Sequence, residues 1–574
     1  MLPARNNGVN PPGKVGGRMK GKSMPSHLAV PNRILCAALA IVAIVGAAQS
    51  APAALGIRKM TCAVPMRDGT RLTTDIYLPR VSRRAVPVVL VRTPYGREQI
   101  PKPAARLVCC AGRALVVQDM RRRIPSDPEL AQQYAAWAAE SRDGHDAIGW
   151  IARQPWCDGN IATWGPSALG ITQNLLAPDA PSCLKAQYVM FAAANIYTQA
   201  VYQGGVFRQE LVEGWTRRAG YQDSLPILRQ HYKYDDYWSR LNAEEQAERV
   251  NAPAVFVGGW HDAFLQGTIN AFVNIQSRGG PRARGNCRLI IGPWIHDDAE
   301  QLADPRNARR MPEAANPFRF LDYWIRCVRN GVPCDSPVHY YVMGAHCEPG
   351  APGNYWRCAD GWPPPAEATP FYLHASGELS QEPPSADGGQ LSYRYDPLDP
   401  VPTEGGQNIY IRQGSRDQRS VESRPDVLCF TSAPLAAPLE ITGPLSANLY
   451  VSSDCPDTDF TVKLTDVYPD GRSMLLADGI LRARFRESLE QEEFLEPGRI
   501  YPLTVDLWST SYVFNRGHCI RVAVSSSNAP RFEPNPNTGA PSLDGGPTRI
   551  ATNSVHVSRL RCSHILLPVC RIGQ

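Results

Sequence analysis

The sequence predicts an α/β fold in its first half and an all-β fold in its second. Three observations predict it. Apolar runs of buried-strand type alternate with helical stripes between residues 60 and 365. One of these runs breaks into a glycine-flanked serine, in Asn160-Ile-Ala-Thr-Trp-Gly-Pro-Ser-Ala-Leu-Gly170. From about Ala366 the pattern changes to short alternating segments separated by Pro, Gly and Asp. A chain of 574 residues is too long for one core. The expected organisation is a leader (1–50), a first core segment (60–194), a helical insertion (195–249), a second core segment (250–365) and a β domain (366–574).

The leader carries six basic residues (Arg5, Lys14, Arg18, Lys20, Lys22, Arg33) and no acid. An apolar run from Ile34 to Ala48 follows, then small residues that offer cleavage after Ser50 or after Ala53. That is the three-part pattern of a secretory signal peptide. The run is shorter than the ~20 residues that span a bilayer. The expectation is a secreted or periplasmic protein without a stable membrane span once the leader is removed, the alternative being a tether by an uncleaved leader. Without the leader, basic and acidic residues balance at 54 each, which argues against nucleic acid as a partner. Sixteen cysteines suit an oxidising compartment. Cys327/Cys334, Cys347/Cys358 and Cys562/Cys570 are candidate local disulfides. No Cys or His spacing suggests zinc, and no metal or cofactor is expected.

The elements follow in order. Met66-Arg-Asp-Gly-Thr70 reads as a hairpin turn. Val86 to Val91 and Ala114 to Asp119 are β-branched runs of buried-strand type, the first ending in Arg92-Thr-Pro-Tyr-Gly96. Asp143 to Gln154 carries Ala147, Ile148, Ile151 and Ala152 on a helical stripe. Ile161 to Trp164 is the strand before the serine. Ala252 to Gly258 and Cys287 to Gly292 are two more strands, followed by Gly259-Trp-His-Asp262 and Pro293-Trp-Ile-His296. Alternating strands and helices indicate a parallel sheet, whose ligands bind beyond the carboxyl ends of its strands.

Gly165-Pro-Ser-Ala-Leu-Gly170 has the composition of a nucleophile elbow, in which a strand turns sharply into a helix and exposes a hydroxyl. Its spacing, G-x-S-x-x-G, is one residue longer than the commoner G-x-S-x-G. Ser167, Asp262 and His296 each fall just after a predicted strand, in the chain order of the α/β-hydrolases. Serine is a poor nucleophile near neutral pH, so an imidazole must take its proton. A buried carboxylate then fixes the histidine tautomer and stabilises the imidazolium.

Between Asn195 and Glu248, Tyr, Trp, Gln and Arg recur at helical spacing, as in Tyr232-Lys-Tyr-Asp-Asp-Tyr-Trp238, interrupted by Pro226. An insertion placed there is expected to cover the pocket over the serine, the alternative being an extra helical layer with no contact to substrate. Beyond residue 366, Leu439 to Ser446, Asn448 to Ser453, Phe460 to Asp466, Ile500 to Trp508 and Cys519 to Ser526 read as strands of a β-sandwich or jelly roll.

From about Cys62 to the C-terminus the chain resembles the cocaine esterase-like (CocE/NonD) acyl esterases, relatives of the X-Pro dipeptidyl peptidases and α-amino-acid ester hydrolases. The marks are Pro65-Met-Arg-Asp-Gly-Thr-Arg-Leu72, Val91-Arg-Thr-Pro-Tyr95, Trp156-Cys-Asp-Gly-Asn160, the serine elbow, Gly259-Trp-His-Asp262, Gly292-Pro-Trp-Ile-His296, Asp457-Thr-Asp-Phe460 and Ser525-Ser-Ser-Asn528. The resemblance implies an α/β-hydrolase core, a helical cap and a C-terminal jelly roll of galactose-binding-like type. It carries Ser167, Asp262 and His296 over as the triad, and Tyr95 with the backbone N–H of Ala168 as the oxyanion hole. The chain departs from that pattern in three places. Ala168 stands where many members have tyrosine. Asp119-Met-Arg-Arg122 replaces Asp-x-Arg-Gly. Ala263-Phe-Leu265 is apolar where amino-group-binding relatives place carboxylates, so Phe264 is expected to line an acyl pocket. The reading is an exported serine hydrolase acting on a small-molecule ester. Its rivals are an X-Pro dipeptidyl peptidase or amide acylase of the same fold, and a catalytically idle carbohydrate-binding protein.

Overall fold

The computed structural model describes residues 56–80, 84–121, 137–296, 310–345, 348, 350–543 and 545–570. The leader, Arg122 and Cys347 lie outside these residues, and the Cys347/Cys358 pairing with them. Among the described residues no helix is long and apolar enough to cross a membrane.

Two strands, β1 (Ile57–Pro65) and β2 (Arg71–Pro79), form the expected hairpin around Gly69. The core continues with β3 (Val86–Thr93), β4 (Ala114–Asp119), β5 (Cys157–Pro166) and β6 (Leu184–Met190). A two-residue hairpin, β7 (Tyr202–Gln203) and β8 (Val206–Phe207), precedes β9 (Ala254–Gly259), β10 (Arg288–Gly292), β11 (Val338–Gly344) and β12 (Tyr355–Ala359). The pairings give the order β1-β2-β4-β3-β5-β6-β9-β10-β11-β12, parallel from β4 to β11. Val88 and Leu90 pack into one apolar layer while Val89 and Val91 pack into the other. Both faces of the sheet are covered, which is why its strands read as continuous apolar runs rather than alternating ones.

Helices α1 (Lys102–Cys110), α2 (Glu140–Ala152) and α3 (Ala168–Leu176) follow β3, β4 and β5. Buried ion pairs pin α2 to the strand ends, with Arg92 Nη1 on Glu140 Oε2 at 2.6 Å and Arg121 clasping Asp143 through two bonds of 2.6 Å. Arg121 also reaches Asp68 at 2.6 Å. The segment that departs from Asp-x-Arg-Gly thus keeps its arginine in a buried double clasp. In the insertion, α4 (Gln209–Ala219) ends at Gly220 in the left-handed conformation. Pro226 does not interrupt a helix; it stands in the first turn of Leu225–Gln230, where its missing N–H costs nothing. Beyond the insertion lie α5 (Leu265–Arg278) and α6 (Pro317–Arg326).

The second half is a two-sheet β structure. Leu428–Thr431, Cys519–Ser525, Asp459–Val467 and Ser473–Arg482 form one antiparallel sheet. Leu439–Ser453 is the backbone of the other, pairing with Tyr501–Phe514, Ala551–Ser558 and His564–Cys570. The two segments that the sequence reads separately, Leu439 to Ser446 and Asn448 to Ser453, form one strand with a register shift between Pro444 and Ser446, since a proline that cannot donate is accommodated at a bulge. β11 pairs in parallel with β10 and, at Met343–Gly344, with Tyr501–Phe514. One strand therefore hydrogen-bonds to both halves.

Two expected disulfides are absent. Cys562 and Cys570 are separate thiols, because β-strand His564–Cys570 holds them apart. Eight residues of extended chain span about 25 Å, whereas bridging needs Cα atoms within about 7 Å. Cys327 and Cys334 are separate, exposed thiols, the first at the left-handed cap of α6 and the second in a one-turn 3-10 helix.

His518 is clamped in the β half. Its Nδ1 lies 2.9 Å from Asp466 and its Nε2 3.1 Å from Glu348, and Tyr512 donates to Asp466 at 2.7 Å. An ionised carboxylate only accepts, so each of the two favours a proton on the ring nitrogen it faces. Burial would lower the His518 pKa, but the two carboxylates outweigh it and raise the pKa above 6.5. A raised folded-state pKa gives stability that is complete below the unfolded value and is lost as pH rises through the folded one. The urea midpoint of the parent is therefore expected to exceed that of His518→Gln most below pH 6.5. The gap closes as pH climbs; a gap that widens above pH 8 contradicts the assignment.

Candidate active site

Ser167 stands between β5 and α3 with φ 56° and ψ −128°. For a residue with a Cβ this conformation costs on the order of 1–3 kcal/mol. It is held by Ser167 N donating to Met190 O at 2.9 Å and by Gly170 and Ile171 N–H groups donating to Ser167 O at 2.8 and 2.9 Å. The flanking glycines are there for space. A Cβ on Gly165 would come within 2.5 Å of the Leu169 Cβ, and one on Gly170 within 2.7 Å of the Ala192 Cβ. The longer spacing follows: the residue that must be small against β6 is Gly170, while Leu169 folds back over Gly165.

The other two residues come from loops that run against each other. Trp260 N donates to Gly292 O at 2.9 Å and His261 N to Trp294 O at 3.0 Å, tying the segment after β9 to the segment after β10. Side chains would block this approach: a Cβ on Gly259 would meet Trp294 O at 2.3 Å, and one on Gly292 the Trp294 ring at 2.4 Å. The Gly-Trp-His-Asp and Gly-Pro-Trp-Ile-His segments are thus two halves of one packed unit. From the insertion, the buried Arg208 guanidinium donates to Ala263 O at 3.0 Å and fixes the loop just beyond Asp262.

Within this frame His296 Nε2 lies 3.0 Å from Ser167 Oγ, and His296 Nδ1 lies 2.5 Å from Asp262 Oδ2. The remaining oxygen of Asp262 accepts the Phe264 N–H at 2.7 Å. All three side chains are buried; Asp262 has no exposure at all. With Asp262 ionised, Nδ1 donates and Nε2 is left to accept the serine proton. Phe264 packs edge-on against His296, with centroids 5.5 Å apart.

Tyr95, Ala168 and Phe264 line one narrow pocket with Ser167 and His296. Ala168 is the first residue of α3, where backbone N–H groups lack an intrahelical acceptor and the helix dipole favours negative charge. Tyr95 Oη accepts the indole N–H of Trp215 at 3.2 Å. The structure thus brings together every site residue that the sequence singles out. It also adds walls that the sequence reading does not name. Trp137 enters from the segment before α2, and Leu211, Val212 and Trp215 from one face of α4. The i, i+1, i+4 spacing of those last three is a helical stripe visible in the sequence. Ile409 and Tyr410 come from the β half. Glu210 accepts both of their N–H groups, at 3.2 and 3.0 Å, and Gly214 leaves room for the Tyr410 ring, which a Cβ there would meet at 2.3 Å. No sequence signal in Gly405-Gly-Gln-Asn-Ile-Tyr410 marks this contribution.

Known proteins resemble this chain over most of its length. The model of the X-Pro dipeptidyl-peptidase (S15 family) matches residues 68–226 and 217–298. The model of the X-Pro dipeptidyl-peptidase C-terminal non-catalytic domain matches residues 330–565. The chain is 33% identical to the cocaine esterase of Rhodococcus sp. (strain MB1 Bresler) over 586 aligned positions, covering 88% of this chain and 98% of the relative. It is 27% identical to a putative serine esterase of Mycobacterium bovis, covering 90% of this chain and 96% of that protein. Among solved structures it is similar to an α-amino acid ester hydrolase, with a TM-score of 0.73 at 25% identity, covering 91% of this chain and 98% of that one.

Proposed function

The chain belongs to the cocaine esterase-like (CocE/NonD) family and is a serine hydrolase, and from that premise we propose that it cleaves carboxylic esters through an acyl-enzyme. Ser167 Oγ attacks the ester carbonyl as His296 Nε2 takes its proton, with Asp262 holding the imidazolium that forms. The tetrahedral oxyanion is met by the Tyr95 hydroxyl and the Ala168 N–H. His296 then returns the proton to the departing alcohol, and water attacks the acyl-Ser167 carbonyl by the same relay to release the acid. Phe264 packs the acyl group. In this reading the leader exports the enzyme, its substrate is a small-molecule ester, and no nucleic acid or permanent membrane span is involved.

The observation that supports ester over dipeptide cleavage is the pocket wall. Apart from the reacting serine and histidine it is built from Tyr, Trp, Phe and aliphatic side chains, and no carboxylate lines it among the described residues. An N-terminal ammonium brought there would lose its hydration with no counter-charge, which costs several kcal/mol. Glu210, the nearby acid from the insertion, spends both oxygens on backbone N–H groups. The test is to offer p-nitrophenyl butyrate and Ala-Pro-p-nitroanilide to the purified protein. Turnover of the ester with kcat/KM at least ~100-fold above the anilide is expected, the scale of an unpaired buried charge. Faster release of nitroaniline would move the protein to the peptidase branch of the fold.

A further inference from the structure

We propose that Gln407, from the β half, is a positioning residue for the carboxylate of Asp262, an inference that rests on the triad role given to Asp262 above. The Gln407 side chain donates from Nε2 to Trp260 O at 3.2 Å, two residues before Asp262. On the other side of Asp262, the Arg208 guanidinium donates from Nη1 to Ala263 O at 3.0 Å. The same guanidinium donates from Nη2 to Gln407 O at 3.4 Å. Three hydrogen bonds thus close a ring around the loop, from Gln407 to Trp260, from Arg208 to Ala263 and from Arg208 to Gln407. Its members come from the insertion, the core and the β half, and Gln407 and Arg208 are both buried. Both loop carbonyls lie past Gly259, the last residue of β9, so the sheet ladder does not fix them.

The amide of Gln407 has one orientation that serves its neighbours. Trp260 O can only accept and the Arg531 guanidinium can only donate. The NH₂ therefore faces the carbonyl, and Oε1 faces Arg531 Nη2 at 3.4 Å. Arg531 is anchored in the β half by Asp478, through contacts of 2.8 and 2.9 Å. One amide thus ties the loop that carries Asp262 to a buried ion pair of the other half. The carboxylate it steadies has little tolerance, since one oxygen lies 2.5 Å from His296 Nδ1 while the other holds the Phe264 N–H. A shift of the loop lengthens the bond to His296, and misplacement by about 1 Å can cost 10²-fold in rate. Burial first, and then the nearby Arg531, pull the Arg208 pKa down to about 9, while Glu210, Asp262 and Asp478 raise it. Two guanidinium groups thus touch residue 407, and a carboxylate placed there would find a counter-charge.

Gln407→Glu separates positioning from stability. The carboxylate keeps the shape and gains an ion pair with Arg531, but it takes the donor from Trp260 O and sets two acceptors against each other. With p-nitrophenyl butyrate the expected result is a fall in kcat of about tenfold with little change in KM. The melting temperature should stay within about 2 °C of the parent. Gln407→Met, which pairs with neither neighbour, should lose the same kcat and melt lower. In an Asp262→Asn background Gln407→Glu should cost no further kcat, because residues that act through one another are non-additive. A Gln407→Glu enzyme with the parent's kcat overturns the inference, and so do equal losses in both backgrounds or a loss confined to KM. Should Gln407→Glu fail to fold, Gln407→Met with and without Asp262→Asn gives the same decision. An Asp262→Asn enzyme with full kcat overturns the triad role itself. An Asp262→Asn loss without any loss from the Gln407 variants overturns only the positioning.

Discussion

Replacing Ser167 by alanine is expected to lower kcat for ester hydrolysis by about 10⁶-fold, leaving only what an oxyanion hole and a binding pocket give without a nucleophile. The size of the loss follows from the relay. His296 Nε2 faces Ser167 Oγ at 3.0 Å, and an alanine there removes the hydroxyl that the imidazole activates. The fold should survive the change. The elbow is held by the backbone bonds of residue 167 to Met190, Gly170 and Ile171, none of which uses the hydroxyl, so the melting temperature should stay within a few degrees of the parent. A variant that is well folded and retains even a hundredth of the activity would place the nucleophile elsewhere.

Asp262→Asn is expected to lower kcat by about 10⁴-fold with little change in KM. The two carboxylate oxygens have different duties: one accepts the Phe264 N–H at 2.7 Å and the other faces His296 Nδ1 at 2.5 Å. An amide has one acceptor and one donor end. If its NH₂ turned toward the Phe264 N–H, two donors would meet, so the amide oxygen stays there and the NH₂ faces His296. The imidazole must then carry its proton on Nε2, which can no longer accept from Ser167. Steady-state kinetics on the ester, with binding of a non-hydrolysable inhibitor as a control, reads this directly. A loss expressed in KM rather than kcat would mean that Asp262 shapes the pocket instead of setting the tautomer.

Much of this site was legible in the sequence because each chemical group sits at a strand end. β3, β4, β5, β9 and β10 are all apolar runs, and a parallel sheet covered on both faces leaves that mark on its strands. Tyr95, Ser167, Asp262 and His296 then fall on one edge of the sheet by topology alone. β6 was not legible. Leu184-Lys-Ala-Gln-Tyr-Val-Met190 places Gln187 in the interior, where its amide donates to Gln173 O at 3.0 Å and to Thr163 Oγ1 at 3.4 Å. The same limit applies to the pocket walls. Ile409 and Tyr410 reach the serine across more than two hundred residues of chain through Glu210, and no local pattern encodes a contact of that kind. Cysteine spacing misled for a related reason. Cys562 and Cys570 are close in sequence but sit at opposite ends of an extended segment, so proximity along the chain said nothing about proximity in space.

The acyl-enzyme is the central claim, and trapping it is the most direct test. A reaction with p-nitrophenyl butyrate, quenched in acid within the first turnovers and digested, should yield one modified peptide. The account predicts the mass of a single butyryl group on the peptide that carries Ser167, absent from the Ser167→Ala protein. A butyryl group on another residue, or active enzyme that never accumulates an acylated peptide while nitrophenol is released in a burst, would contradict it.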